Sequence, residues 1–350
     1  VAMFSEKIRK LSEEMEVADA KLLKLLERTK GGTKGLYSLT RKSLFEIFNE
    51  LKKIALSRGH REKILSSHDL QAVFQGKKYV SGAWKASDEE KFHPMDKFPQ
   101  FYSPAMPDVP ITYTWADFCV VQDTQVFISE LEKIYGANSN QTYWMDILFN
   151  DQNDRKGLEI DLEVSTLFYV RGKIHAVFMQ SGTMSRVWCN AEVSTRMKYF
   201  MDLLGLTEEQ AGQMIIEGDP RFSTFVIAPG NTDISYDLCH SSANRFDTMA
   251  SFDPNDKKVI QSKIAQEWGS KEAFNFAMTV ARNAAIVSYV RRHPARTPAP
   301  HSHGPPAARA ARTASRRLNS SKGRKLGACP SGENEGGTVP GNTPHARGRI

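Results

Sequence analysis

Ser185-Arg186-Val187-Trp188-Cys189-Asn190-Ala191-Glu192-Val193 is the stretch on which the reading of the fold turns. It opens a predicted helix over residues 186–204. Trp188 and Glu192, four residues apart, share one face of that helix with their Cβ atoms about 5–6 Å apart. An indole beside a carboxylate suits a ligand with a flat ring and hydroxyls, the ring stacking and the carboxylate taking the hydroxyls. The plainer alternative is a core tryptophan with a solvated or capping glutamate one turn on. W-x-x-x-E alone is a short pattern with many accidental matches, so its surroundings have to decide.

Before that helix the sequence alternates: strand 111–115, helix 123–135, strand 142–149, helix 158–170, strand 175–180. Strands separated by helices of about ten or more residues build βαβ units, in which a parallel sheet carries helices on both faces. The pattern predicts an α/β fold of flavodoxin-like layout. A further strand is expected at 222–228, closed by Pro229 and Gly230. Helices follow over 254–267 and 271–290, the first capped by Asp253 with Pro254 at the next position.

Toward the N-terminus, apolar residues recur at three- and four-residue steps over 4–26, an amphipathic helix of coiled-coil character ended by Gly31, Gly32 and Gly35. Further helices are predicted over 43–58 and 67–74. Residues 1–75 thus read as a helical segment that packs on the next domain or docks a partner. Residues 76–110, punctuated by Pro94, Pro99, Pro104, Pro107 and Pro110, read as a linker or wrapped loop. The α/β domain with its C-terminal helices spans 111–292. After it, residues 293–350 are rich in Pro, Ala, Arg, Gly and Ser with almost no aliphatic residues, the composition of a disordered basic tail.

The net charge of +7 sits in that tail: residues 291–350 carry twelve Lys or Arg against two acidic residues, +10, which leaves −3 for residues 1–290. Nucleic acid is therefore no expected partner of the folded part, and only the tail offers it a surface. No run approaches the roughly 18 apolar residues of a membrane span, and no short apolar stretch leads to a cleavage site, so a cytoplasmic protein is expected. Cys119, Cys189, Cys239 and Cys329 form no metal-ligand spacing and read as reduced thiols. No metal or cofactor is expected, and the glycine-rich phosphate signatures are absent.

Four blocks in fixed order carry a family resemblance: Ile111-Thr112-Tyr113-Thr114-Trp115-Ala116-Asp117, Tyr143-Trp144-Met145-Asp146-Ile147, Val177-Phe178-Met179-Gln180-Ser181, and 185–193 itself. They resemble the first three strands and the W-C-x-x-E helix of Toll/interleukin receptor (TIR)-type domains. The match is closer still to TIR-like proteins of algae and other protists that have not been characterised, and weaker to fungal heterokaryon-incompatibility domains. It spans about residues 95–290.

The resemblance implies a TIR-type NAD+ hydrolase in intracellular signalling, with NAD+ as substrate and homotypic self-association. Glu192 would be the catalytic carboxylate, holding the ribose hydroxyls and the positive charge that develops as nicotinamide leaves. Nicotinamide departs neutral, so no second acid is needed. Trp115, Asp117, Ser181 and Trp188 would line the nucleotide pocket, Arg186 would meet a phosphate or an acidic side chain, and 150–155 would correspond to the loop that gates the pocket. Asp146 is read as a structural residue within the second strand. Three features depart from familiar members: Asn190-Ala191 inside the motif, Trp115-Ala116 after the first strand, and an insertion at 207–219. The alternative is a non-catalytic TIR-like assembly module, since a fold does not carry its chemistry with it.

Overall fold

Short β-branched and aromatic runs form the strands, and longer amphipathic runs form the helices. In the computed structural model the described residues are 37–61, 65–115, 120–138, 140–150, 158–180, 182–228, 246–251 and 253–293. The chain divides into units Val1–Thr297 and Pro298–Ile350, and everything described belongs to the first. The expected helix 4–26 and the tail 294–350 lie outside the described residues.

The elements run β1 (Ser38–Thr40), α1 (Arg41–Ser57), α2 (Ser67–Phe74), β2 (Lys77–Val80), β3 (Ala83–Ala86), α3 (Pro94–Lys97), β4 (Tyr102–Ser103), β5 (Val109–Thr112) and α4 (Val120–Tyr135). They continue β6 (Thr142–Trp144), α5 (Asp146–Phe149), α6 (Leu158–Arg171), β7 (His175–Met179), α7 (Val187–Leu204), α8 (Glu208–Glu217), β8 (Ser223–Ile227), α9 (Pro254–Trp268) and α10 (Lys271–Arg292). Among the described residues no helix is long and apolar enough to cross a membrane.

A six-stranded sheet of order β4-β1-β6-β5-β7-β8 organises the unit. The strands of the alternating region, β6, β5, β7 and β8, are mutually parallel. The expectation of a wholly parallel sheet needs correction, because β1 enters antiparallel between β4 and β6. It comes from upstream of the alternating region, where no crossover helix fixes its direction. Residues 76–110 also differ from the expected linker: β2 and β3 form a hairpin, and β4 rejoins the sheet.

Alternation along the strands sends side chains to opposite faces. Val177, Met179, Phe225 and Ile227 pack with α7, α8, α9 and α10, whereas Ile111, Phe178 and Val226 pack with α1 and α4. Helices thus cover both faces. In α1, Leu44, Ile47, Phe48, Leu51 and Ala55 form the buried stripe, and Thr40 caps the helix by accepting from the Ser43 amide. The end of α6 lies so close to β5 that a Cβ on Gly172 would meet Pro110 Cδ at 2.3 Å.

Both outer strands of the sheet are short or engaged. β4 has only two residues, and at β8 the Arg292 guanidinium donates to the Phe225 carbonyl at 3.1 Å.

Candidate functional site

β5 has β6 on one side and β7 on the other. The connection leaving β5 turns toward β6 and the one leaving β7 turns toward β8, so they run in opposite directions and open a crevice at the carboxyl ends of the strands, the usual ligand position in open α/β sheets. A cleft of about 430 Å³ lies there. Its walls are Tyr113, Thr114 and Trp115 after β5, Asp146 and Asn150 after β6, Tyr169 of α6, and one face each of α7 and α9. His68 and Gln71 of α2 complete the rim.

Three residues expected from the sequence, Trp115, Trp188 and Glu192, line this one cleft. Asp117, Ser181 and residues 151–155 lie outside the described residues. α7 presents Trp188, Glu192 and Thr195 at helical spacing. Its first turn is tied down by the Val187 amide, which donates to the Ala250 carbonyl at 2.9 Å, and by the Ala250 amide, which donates to the Ser185 carbonyl at 2.8 Å.

Glu192 forms part of the cleft floor. It accepts hydrogen bonds from the Thr112 hydroxyl and the Tyr169 phenol. No ion pair among the described residues engages it. Burial pushes its carboxyl up to about 8; the Thr112 bond opposes this, Asp146 adds to it, and the Tyr169 bond opposes it again. Burial thus favours the protonated form of Glu192.

Asp146 stands at the start of α5, not within a strand. The mostly apolar stretch 142–149 was expected to form one strand, but β6 stops at Trp144 and the chain turns into a short helix. The Asp146 carboxylate accepts from the Tyr113 phenol at 2.8 Å, the Ile147 amide at 2.7 Å and the Trp115 indole at 3.0 Å. These bonds meet the cost of burying it and fix Trp115, whose ring meets His68 edge-on at 5.6 Å. Burial still raises the Asp146 pKa.

Cys189 points away from any nucleophilic role. Its thiol is buried, contacts the Tyr113 carbonyl at 3.5 Å and is pushed well up by burial. Arg186, which also lines the cleft, forms no ion pair among the described residues. Among the described residues no group of three or more His, Cys, Asp or Glu is placed to hold a metal.

Sequence reasoning missed Thr112 and Tyr169, the partners of Glu192, and the contribution of α9. On α9, Lys263 donates to Thr166 at 2.7 Å, and Glu267 accepts from Thr195 at 3.1 Å with its pKa raised by burial. A signal for Thr112 was present, since a hydroxyl in a strand buried on both faces has to find a partner. Tyr169 carried no signal, because an aromatic residue on a helix reads as core. With this geometry in hand, comparison with known proteins shows that the chain matches no family model, no curated protein and no solved structure.

Proposed function

We propose that the cleft cleaves the N-glycosidic bond of NAD+ to give nicotinamide and ADP-ribose. One observation carries this reading: Glu192, Trp188 and Trp115 meet in a single cleft at the carboxyl edge of the parallel strands, and Glu192 has no charged partner among the described residues.

In this reading Trp188 and Trp115 hold a flat ring, and the cationic Arg186 is available to the pyrophosphate. The C1′–N bond breaks with its electron pair passing to the nicotinamide nitrogen, which leaves neutral. Ionised Glu192 faces the positive charge left on the sugar, and water then adds to C1′ with loss of a proton. Thr112 and Tyr169 aim the carboxylate. Because burial favours protonated Glu192, the positively charged nicotinamide ring placed against it favours loss of that proton.

The test is nicotinamide release from NAD+ by assembled protein. Glu192→Gln lowers the rate by ~100-fold or more while thermal unfolding stays cooperative. Absence of release from assembled wild type sinks the proposal and leaves the non-catalytic assembly module as the reading.

A further inference from the structure

Behind Glu192 a line of buried polar atoms crosses three strands of the sheet. Thr112 Oγ1 of β5 lies 2.8 Å from His175 Nε2 of β7, and His175 Nδ1 lies 2.9 Å from Ser223 Oγ of β8. The strand register explains the line: Thr112 pairs with Val177, His175 with Ser223, and all four side chains occupy the same face of the sheet. His175 is fully buried and Ser223 nearly so. We propose that Ser223, His175 and Thr112 form one hydrogen-bonded chain whose direction reverses when Glu192 gains or loses its proton.

The donor and acceptor inventory gives the chain two self-consistent directions. An ionised Glu192 only accepts, so the Thr112 hydroxyl donates to it. Thr112 Oγ1 then accepts from an Nε2–H of His175, and Nδ1 accepts from the Ser223 hydroxyl. With the proton on Oε2, the oxygen that faces Thr112, Glu192 instead donates to Thr112. Thr112 then donates to a bare Nε2, and an Nδ1–H donates to Ser223. Glu192 still accepts from Tyr169 in both states. Ionisation sends one proton out through the cleft; the Thr112 and Ser223 hydroxyls turn round, and in the imidazole the Nδ1–H bond breaks and an Nε2–H bond forms, so the ring keeps one hydrogen and stays neutral.

The surroundings keep the imidazole neutral in both states. Burial holds His175 well below the ordinary histidine value, and the Arg196 cation pushes the same way. Around Glu192 the titratable groups are Tyr169 from α6, Asp146 at the start of α5 and Cys189 on α7 itself; around His175 they are Arg196 from α7 and Tyr169, whose ring lies 4.8 Å away. Tyr169 and Cys189 have their own pKa values raised well above the usual by burial. Among the described residues Asp146 is the one carboxyl that acts directly on Glu192; Asp253, Asp256 and Glu267, with His68, Arg186 and Lys263, line the cleft farther out. Asp146 keeps its three donors whichever tautomer His175 adopts.

The inference stands on the cleft floor alone and is independent of the NAD+ reading. Long-range ¹H–¹⁵N correlation spectra of the ¹⁵N-labelled full chain, recorded from pH 6 to 10, read the tautomer directly. The expected result is Nδ1–H on His175 at low pH, Nε2–H at high pH and a crossover near 8. Thr112→Val cuts the chain and freezes the tautomer against pH, and Thr112→Ser restores the crossover. One unchanging tautomer in wild type, or a charged imidazole anywhere in that range, overturns the proposal without recourse to any variant.

Discussion

Trp115 donates its indole N–H to Oδ2 of Asp146 at 3.0 Å, so one wall of the cleft is held by a carboxylate at the start of α5. The same carboxylate carries the Tyr113 phenol. Asp146→Ala leaves both donors stranded and costs about 2–4 kcal/mol, read as a lower urea midpoint. Asp146→Asn retains one acceptor oxygen and loses less. Equal loss in both variants would place the role of Asp146 in its volume instead of its hydrogen bonds.

If anionic Glu192 is the working form, kcat/KM for nicotinamide release climbs with pH and levels off above about 8. The profile belongs to the free protein, because that is the state in which the carboxyl is protonated. A rate that falls over pH 6–8 would show that the protonated acid is the working form.

Stability follows the same group with a definite sign. The folded-state pKa of Glu192 is raised from 4.5 to about 8. Its contribution is thus fully present below 4.5 and is lost as pH rises through about 8. Glu192→Gln does not ionise, so its melting temperature exceeds that of wild type by ~4 °C or more at pH 9 and hardly differs at pH 5. Scanning calorimetry at the two pH values settles it.

Arg196 is a buried cation that forms no ion pair among the described residues, although the Asp219 charge acts on it from nearby. Its guanidinium donates to the carbonyls of Arg221 at 2.8 Å, Gly172 at 3.1 Å, Pro220 at 2.6 Å and also Tyr169, and burial brings its pKa down to about 9. Arg196→Met strands these carbonyls and costs about 3 kcal/mol or more. Arg196→Lys recovers little, since an ammonium cannot span the fork of acceptors. Urea unfolding of both variants separates geometry from charge.

Most of the alternation was legible from periodicity, and Asp253 and Pro254 open α9 as their chemistry requires; the turn into α5 at Asp146 was not, since the apolar residues after it continue those of β6. β1 was not legible, since three residues are too few for any period to show. The β2–β3 hairpin had a usable signal in Ser81-Gly82, both with positive φ, but the prolines downstream drew the whole stretch into a linker reading. For the site, the four-residue spacing of Trp188 and Glu192 placed both on the cleft. What fills the space behind Glu192 depends on register between strands far apart in the chain, which no local pattern encodes.

The blunt outer strands have a further consequence for how copies of this chain can meet. A two-residue β4 offers almost no ladder to an incoming strand, and the carbonyl of Phe225 on β8 is already taken by Arg292. Edge-to-edge growth of the sheet, the route toward fibrous aggregation, is thereby disfavoured at both described margins.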